Sequence, residues 1–92
     1  MAVHWVNYDL NQAGQDYSNL IEYLQSHANW AKPLKSSFLV NTELTAGELR
    51  DGAREHIDSN DDLLVIRVDG QNWASFGLSK KLNDWLLANV AS

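Results

Sequence analysis

The sequence runs to 92 residues, enough for one domain with a modest core, and its 45% hydrophobic and 21% charged content belongs to a folded chain rather than a disordered one. Without cysteine it can build neither a disulfide nor a thiolate metal site, which fits a reducing compartment, and a cytoplasmic protein is expected. Twelve acidic against seven basic side chains leave a net charge of −5, which counts against a general nucleic-acid coat but not against a nuclease, since a bound metal ion supplies positive charge locally.

The opening Met1-Ala2-Val3-His4-Trp5 has no basic segment ahead of an apolar run, so no signal peptide is expected. No apolar stretch approaches the roughly 18 residues of a membrane span, and no membrane role is expected. Val3–Tyr8 is aromatic and β-branched and predicts a strand, apolar on both faces and therefore central. It leads through Asp9 into a polar turn at Asn11, Gln12 and Gly14. A helix follows from about Asp16 to His27, with Asp16 as N-cap and an apolar stripe of Tyr17, Leu20, Ile21 and Leu24. A short extended piece at Asn29–Ala31, a break at Pro33 and a strand over Ser37–Val40 suggest an irregular hairpin.

Thr45-Ala46-Gly47-Glu48 fits a capping box, and Leu44 with Leu49 the hydrophobic staple beside it. The helix they start carries Leu49, Ala53, His56 and Ile57 on one stripe and ends in Asp58-Ser59-Asn60-Asp61. Leu63–Val68 is a near-continuous apolar run of strand length, read as a second central strand, with a turn at Asp69-Gly70. Trp73–Phe76 reads equally as an edge strand or a packed loop. Ser79 caps a last helix with Leu82, Trp85, Leu86 and Val90 on one face. The pattern is α+β, a single domain over 1–92 with 70–92 as a C-terminal extension. Two helices on one sheet face leave the other to be covered by the last helix or by a second copy.

Among residues that carry chemistry, Asp9 stands out, an acid at the carboxyl end of a central strand, where ligand sites of α/β sheets lie. It could hold Mg²⁺, which takes oxygen ligands and activates water at phosphoryl centres, and in a two-fold dimer two copies could converge on one ion. From position alone, plain Asx-turns at Asp9 and Asn11, satisfying backbone amides where the strand ends, are the commoner outcome. Asp58, Asp61 and Asp62 lack the spacing of a calcium loop and read as a solvated turn. His4, His27 and His56 are scattered, with His56 a packing residue, and no Ser has the context of an activated nucleophile. Lys80-Lys81 reads as a solvated face. Core packing is the default for all four Trp; Trp5 and Trp85 sit on faces expected to be buried, while Trp30 and Trp73, in irregular segments, are the better candidates for an exposed or dimer-facing role.

The string Val6-Asn7-Tyr8-Asp9-Leu10 resembles the first strand of the CRISPR-associated protein two family, which ends in a Tyr-Asp pair. Asn29-Trp30 followed by Ser37-Phe38-Leu39-Val40 is similar to that family's hairpin. Glu43-Leu44-Thr45 through Leu49 and the run Asp61–Ile66 fall in the family's order, so the resemblance covers roughly residues 3 to 69. It implies a ferredoxin-like βαββαβ homodimer, here with an extra C-terminal helix, of a kind that includes small metal-dependent nucleases and the scaffolds of spacer acquisition. The virulence-associated protein D ribonucleases share that fold. Asp9 matches the strand-end aspartate, and is implied as catalytic residue and Mg²⁺ ligand.

Two departures are visible. Leu39-Val40 stands where the family often has an acid, and a terminal helix replaces the strand that crosses to the second subunit. Together with the net acidity they suggest a stand-alone relative.

Two functional expectations follow. One is a Mg²⁺-dependent endonuclease acting as a homodimer, on RNA more than on DNA. The other is a non-catalytic dimeric module, for which an exposed apolar face on the last helix, around Leu82, Trp85 and Leu86, would indicate a protein partner.

Overall fold

The structure, a computed structural model, describes residues 2–11 and 17–90. The expected N-cap Asp16 and the turn residues Gln12 and Gly14 lie outside the described residues. In chain order the elements are β1 (Ala2–Asp9), α1 (Ser18–Gln25), β2 (Asn29–Ala31), β3 (Ser37–Thr42), α2 (Ala46–Arg54), β4 (Asp62–Arg67) and α3 (Lys80–Asn89). The strands form one sheet in the order β2-β3-β1-β4, antiparallel at every junction. The connection through α1 therefore passes over β3, and the one through α2 passes over β1.

Alternation along each strand divides the sheet into two faces. Val6 and Tyr8 of β1 and Phe38 and Val40 of β3 point to one face and close a core with Leu20 and Leu24 of α1 and Leu49 and Ala53 of α2. Leu20, Ile21 and Leu24 of the expected α1 stripe pack into this core, while Tyr17 stands outside it, and the helix itself is shorter at both ends. Tyr17 stands at its N-cap position without a side-chain cap bond.

The α2 start follows its sequence closely. Thr45 Oγ1 accepts from the Glu48 amide (3.1 Å) and Glu48 Oε1 accepts from the Thr45 amide (2.9 Å). Leu44 and Leu49 both pack into the same core. Gly52 allows α1 to come close, for a Cβ there would overlap the Tyr23 phenol oxygen. His56 falls in the turn past α2, 5.4 Å from the Tyr23 ring, and His27 meets the same ring edge-on at 5.3 Å.

The opposite face is covered in part by α3. Val3, Ala31 and Leu39 bury against Leu86 and Val90, with Trp5, Val68, Trp73, Leu82 and Trp85 packed around them. A run of side-chain amides fixes the helix in place. Trp85 Nε1 donates to Asn29 Oδ1 (2.8 Å), while Asn29 Nδ2 (2.6 Å) and Asn41 Nδ2 (3.1 Å) both donate to Asn89 Oδ1. Because the apolar side of α3 is spent on its own sheet, the case for a protein partner at Leu82, Trp85 and Leu86 falls away.

Two further expectations are settled by this packing. Trp73–Phe76 is loop, with Trp73 against the outer cluster and Phe76 fully exposed. The run Leu63–Val68 does not form a central strand. β4 pairs with β1 alone and lies at the sheet edge. A continuous apolar run signals two apolar faces, and here Leu63 and Val65 turn to the helices while Leu64 and Ile66 turn to the outer face, 56% and 43% exposed.

Candidate functional site

Strand parity and register build the site. With Tyr8 pointing into the helix-side core, where burial raises its phenol above the ordinary value, Asn7 and Asp9 face the other way. β1 and β4 align so that both put their core residues under the helices, Val6 opposite Val65 and Tyr8 opposite Leu63. The same register sets Asp9 directly across from Asp62, the first residue of β4, and both carboxylates are exposed on the outer face.

The ladder itself gives the spacing. Val68 donates its amide to the Val3 carbonyl (2.8 Å), so Val3 and Val68 form a hydrogen-bonded pair, and every second pair along the ladder does likewise, down to Asp9 and Asp62. Facing α-carbons in such a pair are about 5.5 Å apart. Two like charges directly opposite each other cost stability, and a divalent cation between them would relieve that cost. Asn11 Nδ2 approaches Asp62 Oδ2 at 3.4 Å. The carboxylates rim an open cleft of about 410 Å³, lined also by Asn7, Leu34, Ser36 and Leu64.

Sequence reasoning singled out Asp9 but left Asp62 in the turn cluster. Matching the two apolar alternations, Val6/Tyr8 with Val65/Leu63, would have placed Asp62 opposite Asp9. Asp61 has a different task. Its carboxylate accepts from the amides of Asn11 (2.7 Å) and Asp58 (2.8 Å) and from the Tyr17 hydroxyl (3.0 Å), tying the β1 end to the β4 start. Desolvation works against its ionisation, but those donors outweigh it and hold the group below the ordinary carboxylate range.

The other sequence candidates disperse. His4 is buried with Nε2 2.8 Å from the Leu44 carbonyl oxygen. Lys80 pairs with Asp84 at 2.8 Å on the exposed side of α3. Trp30 is 38% exposed with its ring tilted over Phe38.

Among the described residues no group of three or more His, Cys, Asp or Glu side chains could hold a metal ion. Asp9 and Asp62 bring two carboxylates, hard and oxygen-only, to facing positions of the ladder. That suits Mg²⁺, which commonly takes one or two carboxylates and completes its shell with water and substrate phosphates; it does not suit zinc. No helix of the described residues is long and apolar enough to cross a membrane. Comparison with models of known families, with curated proteins and with solved structures finds no match.

Proposed function

We propose that this chain is a ferredoxin-like cytoplasmic domain, a stand-alone relative of the CRISPR-associated protein two family, acting as a homodimeric metal-dependent endoribonuclease. The strand order read from the other edge, β4-β1-β3-β2, with both connecting helices on one face and α3 added, supports the fold reading. The observation that carries the activity is the pair Asp9 and Asp62, opposite each other at the open end of the sheet. Bound there, Mg²⁺ would supply a polarised water and charge neutralisation at a scissile phosphate. The chain's own part is to set the two carboxylate-bearing positions opposite each other on the ladder and to leave the cleft side open. With Asp62 beside Asp9 in the same protomer, the donor pair does not require the second copy's aspartate.

The test is cleavage of single- and double-stranded RNA and DNA with Mg²⁺, Mn²⁺ or EDTA, comparing wild type, Asp9→Asn and Asp62→Asn. RNA cutting that needs metal and is lost in Asp9→Asn is the expected result. Cutting that survives Asp9→Asn, or needs no metal, refutes the site.

The alternative, a non-catalytic dimeric module, is favoured by one observation, the exposed apolar side chains Leu64 and Ile66 on an unpaired edge strand. A folded dimer without any cutting would select it.

A further inference from the structure

β4 leaves one side of its backbone ladder at the edge of the sheet. Because Asp62, Leu64, Ile66 and Val68 direct their backbone groups toward β1, the amides and carbonyls of Leu63, Val65 and Arg67 point outward from the sheet. Soluble proteins usually blunt such an edge with a proline, an inward charge, a bulge or a very short strand. β4 has neither proline nor bulge, and its charges, Asp62 and Arg67, stand only at its two ends. Its register with β1 runs without interruption from Arg67 to Asp62, and its four inner residues are Leu63, Leu64, Val65 and Ile66. The opposite edge, β2, is only three residues long and is followed by Pro33.

We infer that the β4 edge pairs with β4 of a second copy, antiparallel and centred on Val65, to give a continuous eight-stranded sheet. This rests on the dimeric part of the reading above and on neither its nuclease nor its metal.

Three features select a second copy and this alignment. A two-fold axis normal to the sheet brings residues of equal parity opposite each other, so that Val65 meets Val65, and Leu63 meets Arg67, of the second copy. All the outward backbone groups of the strand are then matched, in about six hydrogen bonds. On the outer face the same alignment sets Leu64 against Ile66 of the second copy and covers the exposed pair with itself. Charge favours the antiparallel sense, since the acidic Asp61-Asp62 end of one strand then lies beside an end where Arg67 is already paired with Asp69 (2.8 Å), whereas a parallel pair would stack the two acidic ends.

The arrangement also fixes the relation of the two candidate sites. Counting strands and residues from the axis, with strands about 4.8 Å apart and a rise of about 3.4 Å per residue, the two copies of Asp9 lie roughly 25 Å apart. Each protomer therefore keeps its own Asp9–Asp62 pair, and no ion is shared across the axis.

The chain has no native cysteine, so thiol cross-linking has no background. Leu64→Cys and Ile66→Cys proteins, distinguished by a tag, are mixed and oxidised. The expected product is the mixed disulfide dimer, because these positions face each other in a non-hydrogen-bonded pair of close Cα spacing. In sedimentation, wild type runs at twice the mass of one chain at micromolar concentration. Leu64→Lys/Ile66→Lys raises the dissociation constant by at least about 30-fold. Leu64→Glu/Ile66→Lys, whose opposite charges face each other across the axis, stays within about 5-fold of wild type.

Val65→Pro removes an outward amide without touching the β1 ladder and is expected to be monomeric; the charge and thiol variants stand independently should it not fold. A wild-type chain that stays monomeric to hundreds of micromolar overturns the inference. So does a dimer indifferent to the paired lysines, or cross-linking confined to Leu64→Cys with itself, which marks a different register. A wild-type dimer that shows no metal-dependent cutting refutes the Asp9 site alone and leaves this interface standing.

Discussion

Asn89→Ala tests what holds the last helix to the sheet. Its Oδ1 accepts from both Asn29 and Asn41, so truncation leaves two amide donors without their partner. All three residues are only partly buried, which places each orphan near the low end, about 1 kcal/mol. Alanine returns about 0.6 kcal/mol of helix propensity near the end of α3. The net loss should be about 1.5 kcal/mol, a fall in Tm of roughly 6–12 °C for a domain of this size, measured by urea and thermal unfolding. The sharper measurement is a double-mutant cycle with Asn29→Ala. The pair shares one bond and each single variant strands the other's group, so the double variant should cost about 1 kcal/mol less than the sum. Additivity within about 0.3 kcal/mol, or a single-variant loss below about 0.5 kcal/mol, would show that α3 is held by its apolar contacts and that the amide run adds nothing.

Thr45→Ala removes the acceptor of the capping box and should cost about 1 kcal/mol in unfolding free energy, with Thr45→Ser close to wild type. Gly52→Ala gains helix propensity but drives a Cβ into the Tyr23 phenol, and the packing loss should win; Gly52→Ala in a Tyr23→Leu background should instead stabilise. The carboxyl of Asp69 is held well below the ordinary range chiefly by its hydrogen bond from Arg67, aided by the Val3 amide, and Asp61 is lowered as well. A lowered folded-state value means that the unfolded chain binds more protons, so this stability is present above about pH 4 and drains away as the pH falls further. Thermal scans from pH 6 to pH 2 should show that decline, and Asp61→Asn/Asp69→Asn should flatten it; an unchanged slope would refute the assignment.

Local chemistry was legible where one segment decides its own shape. Thr45 and Glu48 close their capping box, Ser79 caps α3 by accepting from the Leu82 amide (3.2 Å), and Gly70 takes a φ of 75° at the turn after Asp69. Strand neighbours were harder to read. Leu63–Val68 has the same composition at an edge as at a centre, because its second apolar face is exposed rather than covered. The site followed the same divide. Asp9 could be named from its place at a strand end, whereas Asp62 joins it through a pairing 53 positions away that only the register supplies. The direction of α3 was also hidden, since an amphipathic helix looks the same whether it folds back or awaits a partner, and the Asn29, Asn41 and Asn89 side chains that decide the matter are dispersed along the chain.

The first strand of the chain is an inner strand of the sheet. Val3 receives its last hydrogen-bond partner from Asp69, 66 positions later. A nascent chain must therefore hold an apolar strand open on both sides until β3 and then β4 leave the ribosome, and half of its ladder can form only when more than two thirds of the protein has been made. During translation β1 is the segment most in need of shelter, and synonymous changes that slow synthesis between codons 43 and 67 should lengthen that exposure and lower soluble yield while leaving the mature protein unaltered.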